Sequence, residues 1–145
     1  MQPSLDSLRN ILEPDCLLTD SDSLHQFGKD WTNQYTPAPL AIALPKTTEQ
    51  VAAIVQWANQ HSVALVPSGG RTGLSGGAVA EQGELVIALD KMNQVIEFES
   101  ATQQVKCQAG VITEQLQQFA EENDLYYPVD FASSGSSQIG GNIAT

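Results

Sequence analysis

The chain has 145 residues, 41% apolar and 16% charged. That is enough to bury roughly 70% of the unfolded surface in one compact unit, and it is too apolar for wholesale disorder. Six Lys and Arg against 17 Asp and Glu leave a formal charge of −11. This argues against nucleic acid and anionic membrane surfaces as partners, because both are gripped by clustered cations.

No unbroken apolar run approaches the ~20 residues that cross a bilayer, so no transmembrane segment is expected. The opening residues lack a basic stretch followed by an apolar one, so no signal peptide is read either. Cys16 and Cys107 share no CxxC or Cys/His spacing, which fits two ordinary thiols in a reducing, cytoplasmic setting.

Ser4 is placed to cap a short helix whose Leu5, Leu8, Ile11 and Leu12 form one apolar stripe, and Pro14 stops it. A second short acidic helix is predicted over Ser21 to Phe27, ended by Gly28. Residues 31–45 carry three prolines and should be extended, with Leu40, Ile42 and Leu44 alternating. Thr47 and Gln50 have capping-box spacing. They open a helix to about Gln60 with Val51, Ile54, Val55 and Ala58 on one face. Trp57 falls off that stripe and is expected to cover a seam with a neighbouring segment.

Val63–Pro67 reads as a short buried strand and Glu84–Leu89 as a strand buried on both faces. A hairpin is predicted from Val95–Glu99 and Gln104–Ala109. Thr113 is placed to cap a last helix with Leu116, Phe119 and Ala120 inside. Residues 126–145 are rich in Pro, Ser and Gly without periodicity. The whole is a mixed α+β or α/β pattern.

Pro67 to Gly77 holds five glycines in eleven residues, and Arg71 is its one cation. Glycine lets successive N–H groups converge into a concave nest that holds a phosphate without many cations. A surface loop of no binding role fits the same composition. Neither GxxxxGK[ST] nor GxGxxG is present, which excludes the nucleotide-triphosphatase loop and the Rossmann fingerprint. No Ser/His/Asp set or metal-ligand spacing appears, so no catalytic or metal residue is assigned.

Several motifs follow in order: Asp30-Trp31-Thr32 before Tyr35, PSGGRTGLSGG, Leu89-Asp90-Lys91-Met92-Asn93 and Val105–Val111. Tyr127-Pro128-Val129-Asp130 and Ser134 to Thr145 complete the series. Together they resemble the FAD-linked oxidases with the vanillyl-alcohol-oxidase or p-cresol-methylhydroxylase (PCMH) type of FAD-binding domain. The nearest branch contains the glycolate oxidase flavin subunit, D-lactate dehydrogenase and D-2-hydroxyglutarate dehydrogenase. The resemblance implies an N-terminal helical segment (1–29), a first FAD-binding subdomain of short buried strands and helices (30–91, loop 67–77) and an incomplete second α+β subdomain (92–145).

It also implies a role for individual residues. Ser68, Gly69, Gly70, Arg71, Thr72, Gly73, Leu74, Ser75, Gly76 and Gly77 would cradle the FAD pyrophosphate, with hydroxyls from Thr72 and Ser75. Pro128 and Asp130 would lie near the flavin or its ribityl chain. Ser134, Gly135, Ser136, Ser137, Ile139, Gly140, Gly141, Asn142, Ala144 and Thr145 would wrap the cofactor's other side, with Asn142 donating a hydrogen bond. A cut-off, disordered tail is the other reading of that last stretch. Some relatives tether FAD through a His in the loop; Arg71 and Thr72 stand there, so the expected FAD is non-covalent.

The implied enzyme is a flavin-dependent 2-hydroxyacid dehydrogenase or oxidase. It would be cytoplasmic or peripheral to the inner face of the membrane. It would also need a C-terminal substrate domain, a small 2-hydroxy acid, and a quinone, cytochrome or electron-transfer flavoprotein as electron acceptor. These residues alone would not turn over substrate and would hold FAD weakly or not at all, because the cofactor is expected to lie between two domains. The competing reading is a small non-catalytic module that binds a nucleotide or a partner.

Overall fold

The structure is a computed structural model, and it describes residues 4–32 and 34–145. The first three positions of the predicted helical segment, and position 33 of the first subdomain, lie outside the described residues.

The N-terminal stripe forms α1 (Asp6–Arg9), with Ser4 Oγ accepting from the Asp6 N–H at 3.2 Å. Leu8 and Leu12 are buried, and Leu5 and Ile11 pack on them. A 3-10 turn at Pro14–Cys16 leads into the short strand β1 (Leu17–Leu18). Next comes α2 (Ser21–Phe27), capped by Asp20, whose carboxylate accepts from the Ser23 N–H at 2.9 Å. Gly28 ends α2 as predicted, though with negative φ. A side chain there would press on the Leu24 carbonyl at 2.7 Å and on Pro37 and Pro39 at 3.0 Å.

Strands β2 (Ala41–Ala43), β3 (Leu65–Ser68) and β4 (Leu85–Ala88) complete a four-stranded sheet ordered β1-β2-β4-β3. β4 runs parallel to both β2 and β3, while β1 is antiparallel to β2. The alternation expected at Leu40, Ile42 and Leu44 does not occur. Ala41, Ile42 and Ala43 are all fully buried because β2 is an inner strand covered on both faces. β4 is buried throughout, as expected. β3 differs from its prediction: it is an edge strand, partly exposed, with only Ser68 fully buried.

Between β2 and β3 runs α3 (Thr48–His61). Thr47 Oγ1 accepts from the Gln50 N–H at 3.2 Å. Gln50 Oε1 accepts from the Lys46 N–H at 2.7 Å, one residue before the expected partner. Ile54, Trp57 and Ala58 are buried, whereas Val55 is exposed. Trp57 does cover a seam: its indole Nε1 donates to Ser7 Oγ at 2.7 Å, tying α3 to α1.

The second half holds the hairpin β5 (Val95–Glu99) and β6 (Gln104–Cys107), with a register shift between Val95 and Glu97. α4 (Thr113–Glu122) follows, and its Phe119 ring meets Phe98 edge-on at 5.5 Å. Thr113 is the first helical residue rather than the cap, because Ile112 holds the capping position and donates its N–H to Gln115 Oε1. The aperiodic tail contains a further helix, α5 (Ile139–Ala144). A small apolar cluster of Val111, Leu116 and Ile139 lies apart from the main cluster built on α1, α3 and the sheet.

Candidate functional site

The glycine loop leaves the carboxyl end of β3, the end of parallel strands at which open α/β sheets hold ligands. Ser68 is fully buried at that point. Arg71 follows in the left-handed region at φ 56°. Its guanidinium donates twice to the Asp90 carboxylate, at 2.7 and 3.1 Å, just beyond β4. It also lies 4.6 Å above the centre of the Phe27 ring. The one cation of the loop therefore neutralises a carboxylate and pins the loop across the strand ends.

Asp30 pins the other side. Its Oδ2 accepts from the Gly76 N–H at 3.0 Å, while Oδ1 accepts from the Thr32 hydroxyl and N–H at 2.7 and 2.8 Å. Burial pushes this carboxyl up, but the Thr32 hydroxyl and the two N–H donors outweigh it and hold the pKa below the usual range. The Trp31 N–H donates to the Gly73 carbonyl at 3.1 Å. Gly76 sits at φ 78° with Tyr35 against it.

Between these pins, the N–H groups of Gly70, Arg71, Thr72, Gly73, Leu74 and Ser75 have no acceptor among the described residues. A side chain on Gly73 or Gly77 would meet open space. That run of unpaired donors fits the oxygens of a diphosphate.

The tail lies against this loop. A side chain's first carbon on Gly70 would sit 2.1 Å from the Ser136 carbonyl oxygen, so the two backbones touch. Ser134 and Ser137 carbonyls accept from the Glu114 and Thr113 N–H groups at 3.1 and 3.0 Å, which closes the start of α4. Thr113 Oγ1 contacts Ser137 Oγ at 2.8 Å and accepts from Asn142 Nδ2 at 2.7 Å. The Asn142 amide, expected to face the cofactor, is thus bonded to Thr113.

Ile139 is buried, and the Gly140 N–H donates to the Ala109 carbonyl at 2.8 Å. Gly135, Gly141, Ala144 and Thr145 are exposed. Pro128 and Asp130 are exposed on a stretch that Gln117 Nε2 fastens to α4 through the Val129 carbonyl at 2.8 Å. The structure brings the loop and residues 136–138 together and leaves Pro128 and Asp130 on that separate stretch.

Sequence reasoning missed two contributors to this arrangement: the Asp90 anchor and the Asp30 latch onto Gly76. Only Asp30 carried a local signal, the Asp-x-Thr spacing of an Asx turn.

Comparison with known proteins agrees with this geometry. A family model described as "FAD binding domain" matches residues 39–145. The chain is 62% identical over 141 residues to a D-2-hydroxyglutarate dehydrogenase of Stutzerimonas stutzeri (strain A1501), covering 97% of this chain and 30% of that protein. Among solved structures, alkyldihydroxyacetonephosphate synthase superposes with a TM-score of 0.86 at 26% identity, over 97% of this chain and 28% of that one. p-Cresol methylhydroxylase gives 0.74 at 25% identity, over 91% and 26%. The expected mixed α+β, PCMH-type fold and the FAD cofactor both stand, and the chain belongs to the FAD-binding domain family.

Proposed function

We propose that these residues are the FAD-binding portion of a flavin-dependent dehydrogenase acting on 2-hydroxy acids. D-2-hydroxyglutarate is the first substrate to test, with D-lactate and glycolate as competitors. The observation that carries the reading is the run of amides from Gly70 to Ser75 without an acceptor among the described residues, pinned at Asp30 and Asp90 and backed by Ser136.

In this reading the amides hold the diphosphate, with the Thr72 and Ser75 hydroxyls beside them. Arg71 keeps the loop in place by holding Asp90. Residues 134–142 back the loop, and their carbonyls close the start of α4. In the same reading Pro128 and Asp130 lie near the flavin or its ribityl chain, and Ala144 and Thr145 on the cofactor's other side. The two apolar clusters support a division into a first subdomain with the N-terminal helices and a second from the hairpin onward. FAD bound there without a covalent link supplies a two-electron acceptor for a hydride from the carbon bearing the hydroxyl. The chain spans 30% of its relative's length. A substrate domain and the electron acceptor are therefore assigned to the rest of the enzyme.

The test is titration of the purified chain with FAD, read by quenching of flavin fluorescence. Binding at roughly micromolar affinity or weaker is expected, since one face of the cofactor stays in water. Quenching that riboflavin reproduces at equal affinity would show no diphosphate contact and exclude the reading, and submicromolar FAD binding would remove the need for a second domain to complete the site.

A further inference from the structure

Cys16 and Lys91 stand 75 residues apart in the chain and meet in space. The Lys91 Nζ lies 3.3 Å from the Cys16 Sγ, within hydrogen-bond contact for sulfur. The same ammonium donates to the Asp15 carboxylate at 2.5 Å and to the Asp15 carbonyl at 3.2 Å. Cys16 ends the 3-10 turn Pro14–Cys16, and Lys91 ends a second one, Leu89–Lys91, just beyond β4. Both cysteines of the chain are free thiols.

Cys16 is buried, yet its cover on the polar side is made of surface side chains. Asp15 Oδ1 is 3.7 Å and Glu13 Oε2 4.0 Å from the sulfur. The Asp15 and Glu13 side chains are 66% and 54% exposed, and that of Lys91 is 30% exposed. Such tips change rotamer within nanoseconds, and each change opens the sulfur to a molecule as small as hydrogen peroxide. On its other side Cys16 belongs to the main apolar cluster, so an oxidised sulfur stays beside the amine.

A sulfur beside an ammonium is the setting in which cysteines react with oxidants. We infer that Cys16 and Lys91 form a redox modification site, in which peroxide-oxidised Cys16 is captured by the Lys91 amine as a covalent sulfur–nitrogen bond. In the first step the thiol and hydrogen peroxide give a sulfenic acid and water, sulfur losing two electrons to the peroxide oxygens. In the second, the Lys91 ammonium passes a proton to Asp15 and the freed amine attacks the sulfur. The sulfenic oxygen then leaves as water, taking a second proton from the nitrogen. Overall one thiol, one ammonium and one peroxide yield one S–N bond, two waters and one proton. Sulfenic acids condense in this way with backbone nitrogen, and a lysine amine is the stronger nucleophile. The hydrogen bond to Asp15 raises the Lys91 pKa above its usual value and keeps the amine protonated, so the pair is inert until the sulfur is oxidised. The bond ties the turn at 14–16 to the turn that carries Asp90, the partner of Arg71.

The experiment treats the purified chain with excess hydrogen peroxide, digests it and maps the peptides by mass spectrometry, with and without later dithiothreitol. The expected product is a peptide pair joined between Cys16 and Lys91, about 2 Da lighter than the sum of its reduced parts and absent after dithiothreitol. In Lys91→Arg, which keeps a cation for Asp15, the joined pair is lost and Cys16 is recovered as sulfinic or sulfonic acid.

Wild-type Cys16 recovered only as thiol or as its oxygen acids overturns the inference. So does a joined pair about 14 Da heavier than the reduced parts, which carries a bridging oxygen, or a Cys16–Cys107 disulfide as the sole joined product. A lighter Cys16 peptide that persists in Lys91→Arg assigns the bond to a backbone nitrogen and overturns it as well. The wild-type map decides by itself if Lys91→Arg fails to fold.

Discussion

Asp30 joins two stretches of chain through one carboxylate: the turn at Thr32 and the loop glycine at 76, 46 residues away. Its lowered pKa makes the ionised form part of the native structure. A carboxyl held below its unfolded value stabilises the fold fully at higher pH. That contribution fades as pH falls below the unfolded value of about 4 and is gone once it passes the folded one. Asp30→Ala should cost roughly 1–3 kcal/mol at neutral pH, because the Gly76 and Thr32 donors lose their acceptor. Urea melts of both proteins from about pH 7 down to pH 2 should show that gap closing in acid. A gap constant with pH would show that the carboxylate charge is irrelevant. At this scale the Asx spacing was legible, whereas the bond to Gly76 needed the loop folded back. Gly73 gives the opposite lesson: its Cβ direction is empty of protein, so only a ligand's approach can forbid a side chain there.

Elements with their own end signals were legible. Asp20 and Gly28 bound α2, Thr47 opens α3, and the apolar runs at 85–88 and 95–107 became a strand and a hairpin. α5 was not legible, since Ile139–Ala144 contains two adjacent glycines that disfavour a helix by roughly 1 kcal/mol each. Tertiary contact overrides that cost: the Gly140 N–H reaches the Ala109 carbonyl, and Asn142 reaches Thr113. The two glycines should therefore respond in opposite directions. Gly141 has open space around a would-be side chain, so Gly141→Ala should stabilise the chain by about 0.5–1 kcal/mol. Gly140→Ala drives a carbon to 2.8 Å from the Ala109 Cβ and should destabilise by about 1–3 kcal/mol. Thermal melts of the ligand-free variants check both signs.

The molecule as a whole carries a charge of −11, and its loop cation is bound to Asp90. A site that held an anionic cofactor by cationic side chains would weaken steeply with salt. A site of main-chain donors inside a negative molecule behaves otherwise, because salt screens the repulsion between protein and ligand. FAD affinity should therefore stay level or improve between about 20 and 200 mM salt. A steep loss over that range would assign the binding to side-chain charge. The two apolar clusters meet through backbone rather than through a shared apolar face. At Gly110 a side chain would fall 2.0 Å from the Leu89 carbonyl oxygen, and the Gly110 N–H donates to the Met92 carbonyl at 2.8 Å.

Local chemistry written in the residues determined the elements with caps and periodicity, the acidic character and the glycine loop with its family resemblance. These depend on groups within a few positions of one another, so the order of residues already contains them. Tertiary structure alone decided that β2 is an inner strand and β3 an edge, that Arg71 holds Asp90, and that residues 139–144 coil. It also placed Ser136 and Gln138 against the start of the loop. Each of those outcomes depends on which distant backbone lies a few ångströms away, and burial and hydrogen-bond pairing follow from that neighbour rather than from the residue's own preference.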